Sequence, residues 1–179
     1  MVLLIIGGSG SGKSAYAEQR AVELGKSSPD SGGALYYLAT MEVRDQESRR
    51  RISRHRNMRK DKKFHTIECQ THLEEISPNP GDTLLLECIS NLTANEMYSP
   101  NGRKTNIAEQ ILAGIQKLAK ESKNLIIVGN NVFEDGGNYD TSTQEYISQM
   151  AKIQNETAKL ADEVVEVVCG IPLFVKTAD

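Results

Sequence analysis

The sequence predicts an α/β protein, a mostly parallel sheet flanked by helices on both faces. Three observations predict it. Short apolar runs at residues 2–6, 83–86 and 125–128 have the length and composition of strands buried on both faces. Helix-forming stretches alternate with them, the order that builds parallel crossovers. The first run leads directly into Gly-Gly-Ser-Gly-Ser-Gly-Lys-Ser at residues 7–14, the Gly-x4-Gly-Lys-Ser pattern of a phosphate-binding loop set between a strand and a helix. The fold expected is therefore that of a P-loop NTPase with a RecA-like sheet, residues 1–179 forming a single nucleotide-binding domain.

Each element has its own reason. Residues 2–6 form the first strand, and the helix after the loop runs to Gly25, which reads as its C-cap. Residues 27–33, rich in Ser, Pro and Gly, read as a loop. Residues 34–39 form the second strand, whose end opens toward the phosphates, and residues 42–60 read as a highly charged helix. Residues 64–68 make a short strand and residues 71–76 a short helix closed by Pro78 and Pro80. The strand at residues 83–86 ends in Glu87, and an apolar strand ending in a carboxylate resembles a Walker-B arrangement. Residues 89–97 give no clear period, and residues 99–102 form a turn. Ile107, Ile111, Ile115 and Leu118 fall on one face of a helix over residues 105–121, a stripe that reads as core. A strand at 125–128, a glycine- and acid-containing loop at 130–140, a helix burying Tyr146, Met150 and Ile153, and strands at 163–168 and 173–175 complete the chain.

The phosphate loop carries a specific chemistry. Its backbone N–H groups converge at a helix N-terminus, where the dipole favours anions. Gly7, Gly8, Ser9, Gly10, Ser11, Gly12, Lys13 and Ser14 are the expected phosphate ligands. Lys13 would reach the β- and γ-phosphates, and the Ser14 hydroxyl would bind Mg²⁺, with Glu87 as the second metal group.

Bulk properties narrow the remaining classes. The 179 residues carry a net charge of −3, yet residues 44–63 hold ten Lys or Arg against three acids. A basic island on an acidic body implies a local anion site rather than general affinity for polyanions, so no nucleic-acid partner is expected. No apolar run is long enough to span a membrane, and the N-terminal run is too short for a signal peptide. Cys69, Cys88 and Cys169 form no Cys-x-x-Cys pair, so free thiols in a reducing cytoplasm are expected.

Within the basic segment, Arg51, His55 and Arg59 recur every four residues, one stripe on a helix. A solvated charged face would look the same, and so would a nucleic-acid patch. A third reading lays the helix over a bound nucleotide, with arginines on phosphates and His55 at the reacting phosphorus. Flanking cations disfavour imidazolium, which leaves a neutral ring able to attack phosphorus. The arginines would then stabilise charge on the phosphoryl oxygens. His65 and His72 have no such company and read as ordinary strand or surface residues.

The motifs in this order resemble the bifunctional adenosylcobinamide kinase / adenosylcobinamide-phosphate guanylyltransferase family. The matching pieces are the loop at 7–14, Tyr-Leu-Ala-Thr at 37–40, Arg-Ile-Ser-Arg-His-Arg-Asn-Met-Arg at 51–59 and Thr-Ile-Glu at 66–68. Then come Leu-Leu-Leu-Glu-Cys-Ile at 84–89, Asn130 with Val132, Ala-Asp-Glu-Val at 161–164 and Gly-Ile-Pro at 170–172. The Arg-Ile-x-x-His-Arg-x-x-Arg element discriminates most, since many kinases share a phosphate loop.

The resemblance implies that Ala39, Thr40 and Met41 line the nucleotide site and that His55 accepts GMP from GTP. It implies that Arg56, Asn57, Met58 and Arg59 contact the nucleotide, with Glu68 and Glu87 in the guanine site. A carboxylate suits guanine because it accepts from the ring N–H and the exocyclic amine together. ATP or GTP would phosphorylate adenosylcobinamide. GTP would then guanylylate His55, and adenosylcobinamide phosphate would take the GMP. The same resemblance implies a homo-oligomer, a symmetric trimer. The chain departs from the family pattern at Asn131 and Phe133, at Ile147 and Ser148, and in the order Gln154-Asn155. Two other readings stay open on the residues alone: another small-molecule P-loop kinase or nucleotidyltransferase, and a nucleotide- or RNA-binding module.

Overall fold

The structure, a computed structural model, describes residues 1–26, 32–131 and 139–178. Seven strands form one sheet: β1 (Val2–Ile6), β2 (Leu35–Ala39), β3 (His65–Glu68), β4 (Thr83–Leu86), β5 (Asn124–Val128), β6 (Glu163–Val168) and β7 (Ile171–Lys176). Their order across the sheet is β3-β2-β4-β5-β1-β6-β7. All neighbours pair in parallel except β7, which returns antiparallel to β6. β5 thus lies between the phosphate-loop strand β1 and the Glu87 strand β4, the RecA-like arrangement expected.

Among the described residues five helices connect the strands: α1 (Lys13–Lys26), α2 (Gln46–Met58), α3 (Ile89–Tyr98), α4 (Ile107–Glu121) and α5 (Thr141–Leu160). Side chains alternate across each strand, so the sheet has two buried faces. On one, Leu4, Leu84, Leu86 and Ile127 meet Leu92 of α3, Ile111 and Ile115 of α4, and Met150 and Ile153 of α5. On the other, Leu3, Ile5, Leu85 and Ile126 meet Ala17 and Ala21 of α1. The small alanines let α1 sit close, which brings the loop before it against the sheet edge.

Three expectations need correction. Gly25 is not a C-cap, because α1 continues through it to Lys26. The short helix near residue 71 is a single 3-10 turn, Leu73–Glu75. The stretch left open at 89–97 is a helix, α3, which buries Ser90, Thr93, Asn95 and Glu96 and so lacks an apolar stripe. The expected loops at 27–33 and 130–140 fall largely outside the described residues, and so do Val132 and Phe133.

α2 differs from the other helices. None of its residues is buried. It is fixed at its start by a capping box, in which the Asp45 carboxylate accepts from the Ser48 N–H at 2.7 Å and the Ser48 hydroxyl lies 3.0 Å from the Asp45 N–H. Those bonds hold the Asp45 carboxyl below the usual carboxylate range. Just past its end Arg59 is buried, its guanidinium 3.6 Å from the centroid of the Tyr37 ring. α2 therefore stands over the carboxyl ends of the strands as a solvated, arginine-rich lid. That edge is where ligands bind in parallel α/β sheets.

Candidate active site

The phosphate loop is held from behind by the chain just past β5 and by the β6–β7 turn. Asn131 N–H donates to the Gly7 carbonyl at 3.2 Å, and Gly170 N–H donates to the Ser11 carbonyl at 2.8 Å. Gly12 has φ +93°, and a Cβ there would lie 3.2 Å from the Gly170 Cα. A Cβ on Gly7 would lie 2.6 Å from the Val167 carbonyl oxygen. Both glycines are thus required by close approach of the β6–β7 turn. The Lys13 ammonium donates to the Gly8 carbonyl at 2.9 Å, and burial lowers its pKa.

A cavity of about 680 Å³ opens between this loop and α2. Ser9, Gly10, Lys13 and Ser14 line one side. Arg50, Arg51, Arg54 and His55 line the other. Glu87, Asn130 and Asn131 line the sheet edge between them. Lys13 and Ser14 of the loop therefore face one volume across from His55 and its neighbours Arg50, Arg51 and Arg54. A narrow cleft of about 10 Å³ continues past His55 between Tyr37, Ala39, Ile52, Arg56, Arg59 and Glu68. Met41, His55 and Glu87 line both spaces, so the imidazole stands at their junction.

The ring is positioned from below. Its Nδ1 lies 3.3 Å from the Tyr37 hydroxyl and 3.5 Å from Glu87 Oε1. Glu87 is itself fixed, accepting from the Thr40 N–H through Oε2 at 3.1 Å. Thr40 in turn donates its hydroxyl to the Cys88 carbonyl at 3.2 Å. Burial and the Glu87 charge drive the Tyr37 hydroxyl well above the usual tyrosine range, so it stays protonated and able to donate. A carboxylate thus lies beside the imidazole. Of the arginines in its stripe, Arg51 turns to Glu47 at 2.5 Å and Arg59 packs on Tyr37.

Other expected residues divide between these spaces and the surface. Ala39 and Met41 line the site, whereas Thr40 is fully buried and acts on Glu87. Arg56 and Glu68 pair at 3.3 Å across the mouth of the narrow cleft. Asn57 and Met58 are exposed and line neither space. In the altered C-terminal half, Asn131 lines the large cavity and Ser148 is exposed on α5. Gln154 donates to the Asn130 carbonyl at 2.8 Å, and Asn130 donates to the Ser90 hydroxyl at 2.8 Å, so both hold the strand-end loop.

Residues 3–175 match the family described as cobinamide kinase / cobinamide phosphate guanyltransferase. The chain belongs to that family. The cobinamide kinase and guanyltransferase family is one of transferases acting in cobalamin biosynthesis, and its P-loop fold is the one seen here. Three relatives align over nearly the full chain. The Escherichia coli K12 bifunctional adenosylcobalamin biosynthesis protein CobU is 28% identical over 190 residues, covering 98% of this chain and 100% of its own. CobU of Salmonella typhimurium LT2 is 27% identical with the same coverage. CobP of Pseudomonas aeruginosa PAO1 is 26% identical, covering 97% of this chain and 96% of its own. Among the described residues no helix is long and apolar enough to cross a membrane.

Sequence reading missed Tyr37, Arg50 and Arg54. The signal for Tyr37 was its register: it shares a strand face with Ala39, two residues on, and that face leads to the site. Arg50 and Arg54 form their own i, i+4 pair beside the Arg51–His55 stripe.

Proposed function

We propose that both family reactions run in the large cavity and that His55 is the residue through which GMP passes. One observation carries the reading: His55 faces the phosphate loop across a single cavity while its Nδ1 is engaged from behind by Tyr37 and Glu87. Engagement of Nδ1 by a carboxylate favours the tautomer with its proton on that nitrogen and leaves the Nε2 lone pair for attack. Nε2 forms a bond to the α-phosphorus of GTP as the bond to pyrophosphate breaks. The ring then carries a positive charge, which Glu87 offsets. Lys13 and the α2 arginines stabilise charge on the departing oxygens. An oxygen of adenosylcobinamide phosphate next attacks the same phosphorus, the N–P bond breaks, and the electron pair returns to Nε2. The kinase reaction uses ATP or GTP at the phosphate loop and does not pass through His55.

Glu68 is the carboxylate we assign to guanine, because it is exposed at the narrow cleft while Glu87 is occupied with Thr40 and His55. The cleft has room for about one water, so guanine entry requires the Arg56 and Met41 side chains to swing aside. Ser14 and Glu87 offer a hydroxyl and a carboxylate to the large cavity, hard oxygen donors that fit Mg²⁺. That ion, when bound, neutralises phosphate charge. The same reading places the protein in the cytoplasm as a single nucleotide-binding domain that assembles into a homotrimer, which light scattering of the purified chain would test.

The function is tested with GTP labelled on either the α- or the γ-phosphate. The expected result is an acid-labile, base-stable α-label on the denatured chain, absent in His55→Ala. A folded, GTP-binding sample that takes no α-label would leave only a P-loop kinase.

A further inference from the structure

A third space lies beside the large cavity. It has a volume of about 220 Å³ and is lined by Met41, Glu42, Arg44, Asp45, Glu47, Ser48, Arg51, Asn91, Ala94 and Asn95. Met41, Glu47, Arg51 and Asn91 line both, so the two spaces meet along that border. Its walls are firm. Arg44 donates to Glu42 at 3.1 Å and to the Asn95 side-chain oxygen at 3.0 Å. The Asn95 amide nitrogen donates to the Thr40 and Gln70 carbonyls at 2.8 and 3.0 Å.

Resting on the reading of His55 as the guanylylated residue, we propose that this space is the acceptor subsite. It would take the amide-bearing arm of the corrinoid, whose hydroxyl or phosphate end then reaches into the large cavity past Arg51. Phosphoryl transfer runs with attacking and leaving oxygens in line. The acceptor phosphate must therefore approach His55-bound GMP from the face that pyrophosphate left. The narrow cleft, about 10 Å³ and assigned to guanine, leaves the third space for the acceptor. Arg51 stands one helical turn, about 6 Å, from His55 toward the N-terminus of α2. It is placed to meet an anion at the border of the two spaces. The lining fits the rest of the arm. The carboxylates of Glu42, Asp45 and Glu47 accept from amide N–H groups, and Arg44 and Asn91 can bond amide carbonyls. One entrance serves both reactions, because the group phosphorylated in the first is the nucleophile of the second.

Ala94 is the smallest side chain on this wall, and it makes no contact with the phosphate loop cavity. Ala94→Phe should fill the space. In this variant His55 should take α-label from GTP as the unaltered chain does. Discharge of that label by adenosylcobinamide phosphate should slow by about a hundredfold, the scale of a misplaced reactant. Discharge at the unaltered rate would overturn the proposal. Failure of the unaltered chain to take α-label would instead refute the guanylyl-transfer reading beneath it. Ala94→Cys, a much smaller change, gives a second arm that needs no turnover. Adenosylcobinamide phosphate should slow alkylation of the introduced thiol, located by peptide mapping, at least tenfold, whereas GTP alone should not. Equal alkylation with and without the acceptor would overturn the assignment.

Discussion

Replacing the Glu87 carboxylate with an amide changes one charge and almost no volume. Glu87→Gln can keep the bond from the Thr40 N–H through its side-chain oxygen, so the backbone around it need not move. What it loses is attraction to the ring that becomes positive when Nε2 bonds to phosphorus. Glu87 Oε1 and His55 Nδ1 are 3.5 Å apart, which at an effective dielectric constant of about 20 corresponds to about 5 kcal/mol. The two side chains keep 15% and 8% of their surface in solvent, and screening reduces the net effect to about 2–4 kcal/mol. The labelling step should slow by roughly thirty- to a thousandfold. The assay is rapid-quench labelling of His55 by α-labelled GTP in a single turnover, with GTP affinity measured separately. A rate within threefold of the unaltered chain, together with a large loss of kinase rate, would refute the reasoning. Glu87 would then act at the phosphates and their metal alone, and not on the imidazole.

Tyr37→Phe removes the hydroxyl oxygen that accepts from Nδ1–H and leaves the Arg59 stack in place; labelling should slow about fivefold at unchanged GTP affinity, measured in the same quench experiment. Gly12→Ala puts a Cβ at φ +93° and against Gly170, so it should cost about 1–3 kcal/mol in a denaturant titration and weaken GTP binding at least tenfold by calorimetry. Burial, with the Glu96 and Glu75 charges adding to it, pushes the Cys69 thiol from 9.0 up to about 11. A group raised in this way lends stability that is whole below its unfolded value and lost as pH rises through its folded one. Unfolding free energy should therefore fall between about pH 9 and pH 11 by up to about 2–3 kcal/mol, and a denaturation series should show a shallower fall in Cys69→Ala.

The sheet was legible in the sequence because its strands are buried on both faces. Leu3, Leu4 and Ile5, or Leu84, Leu85 and Leu86, form apolar runs with no polar alternation to confuse the period. α4 was legible for the same reason, since Ile107, Ile111, Ile115 and Leu118 are all core. α3 was not, because Ser90, Thr93, Asn95 and Glu96 are buried beside Ile89 and Leu92. Glu96, buried there, accepts from the backbone N–H groups of His72 and Arg103, and Asn95 holds Thr40. A pattern of apolar residues does not register a face that is buried by hydrogen bonding.

The same limit applies with more force to α2. Its stripe of Arg51, His55 and Arg59 was visible, but the three residues have three fates: Arg51 on Glu47 at the cavity, His55 on Tyr37 and Glu87, Arg59 under the sheet edge. Hydrophobic periodicity reports what a helix excludes from water, and α2 buries none of its residues. Its location comes from ties at its ends and flanks: the Arg44–Asn95 bond, the Arg59–Tyr37 stack and Lys62 on the buried Glu18 at 2.7 Å. A helix held this way can keep Arg50, Arg51 and Arg54 solvated and ready to exchange water for phosphate, which a packed amphipathic helix could not do from its buried face. The feature that hid the site from periodicity, a helix that contributes nothing to the core, is therefore the feature that lets it bind and release charged nucleotide.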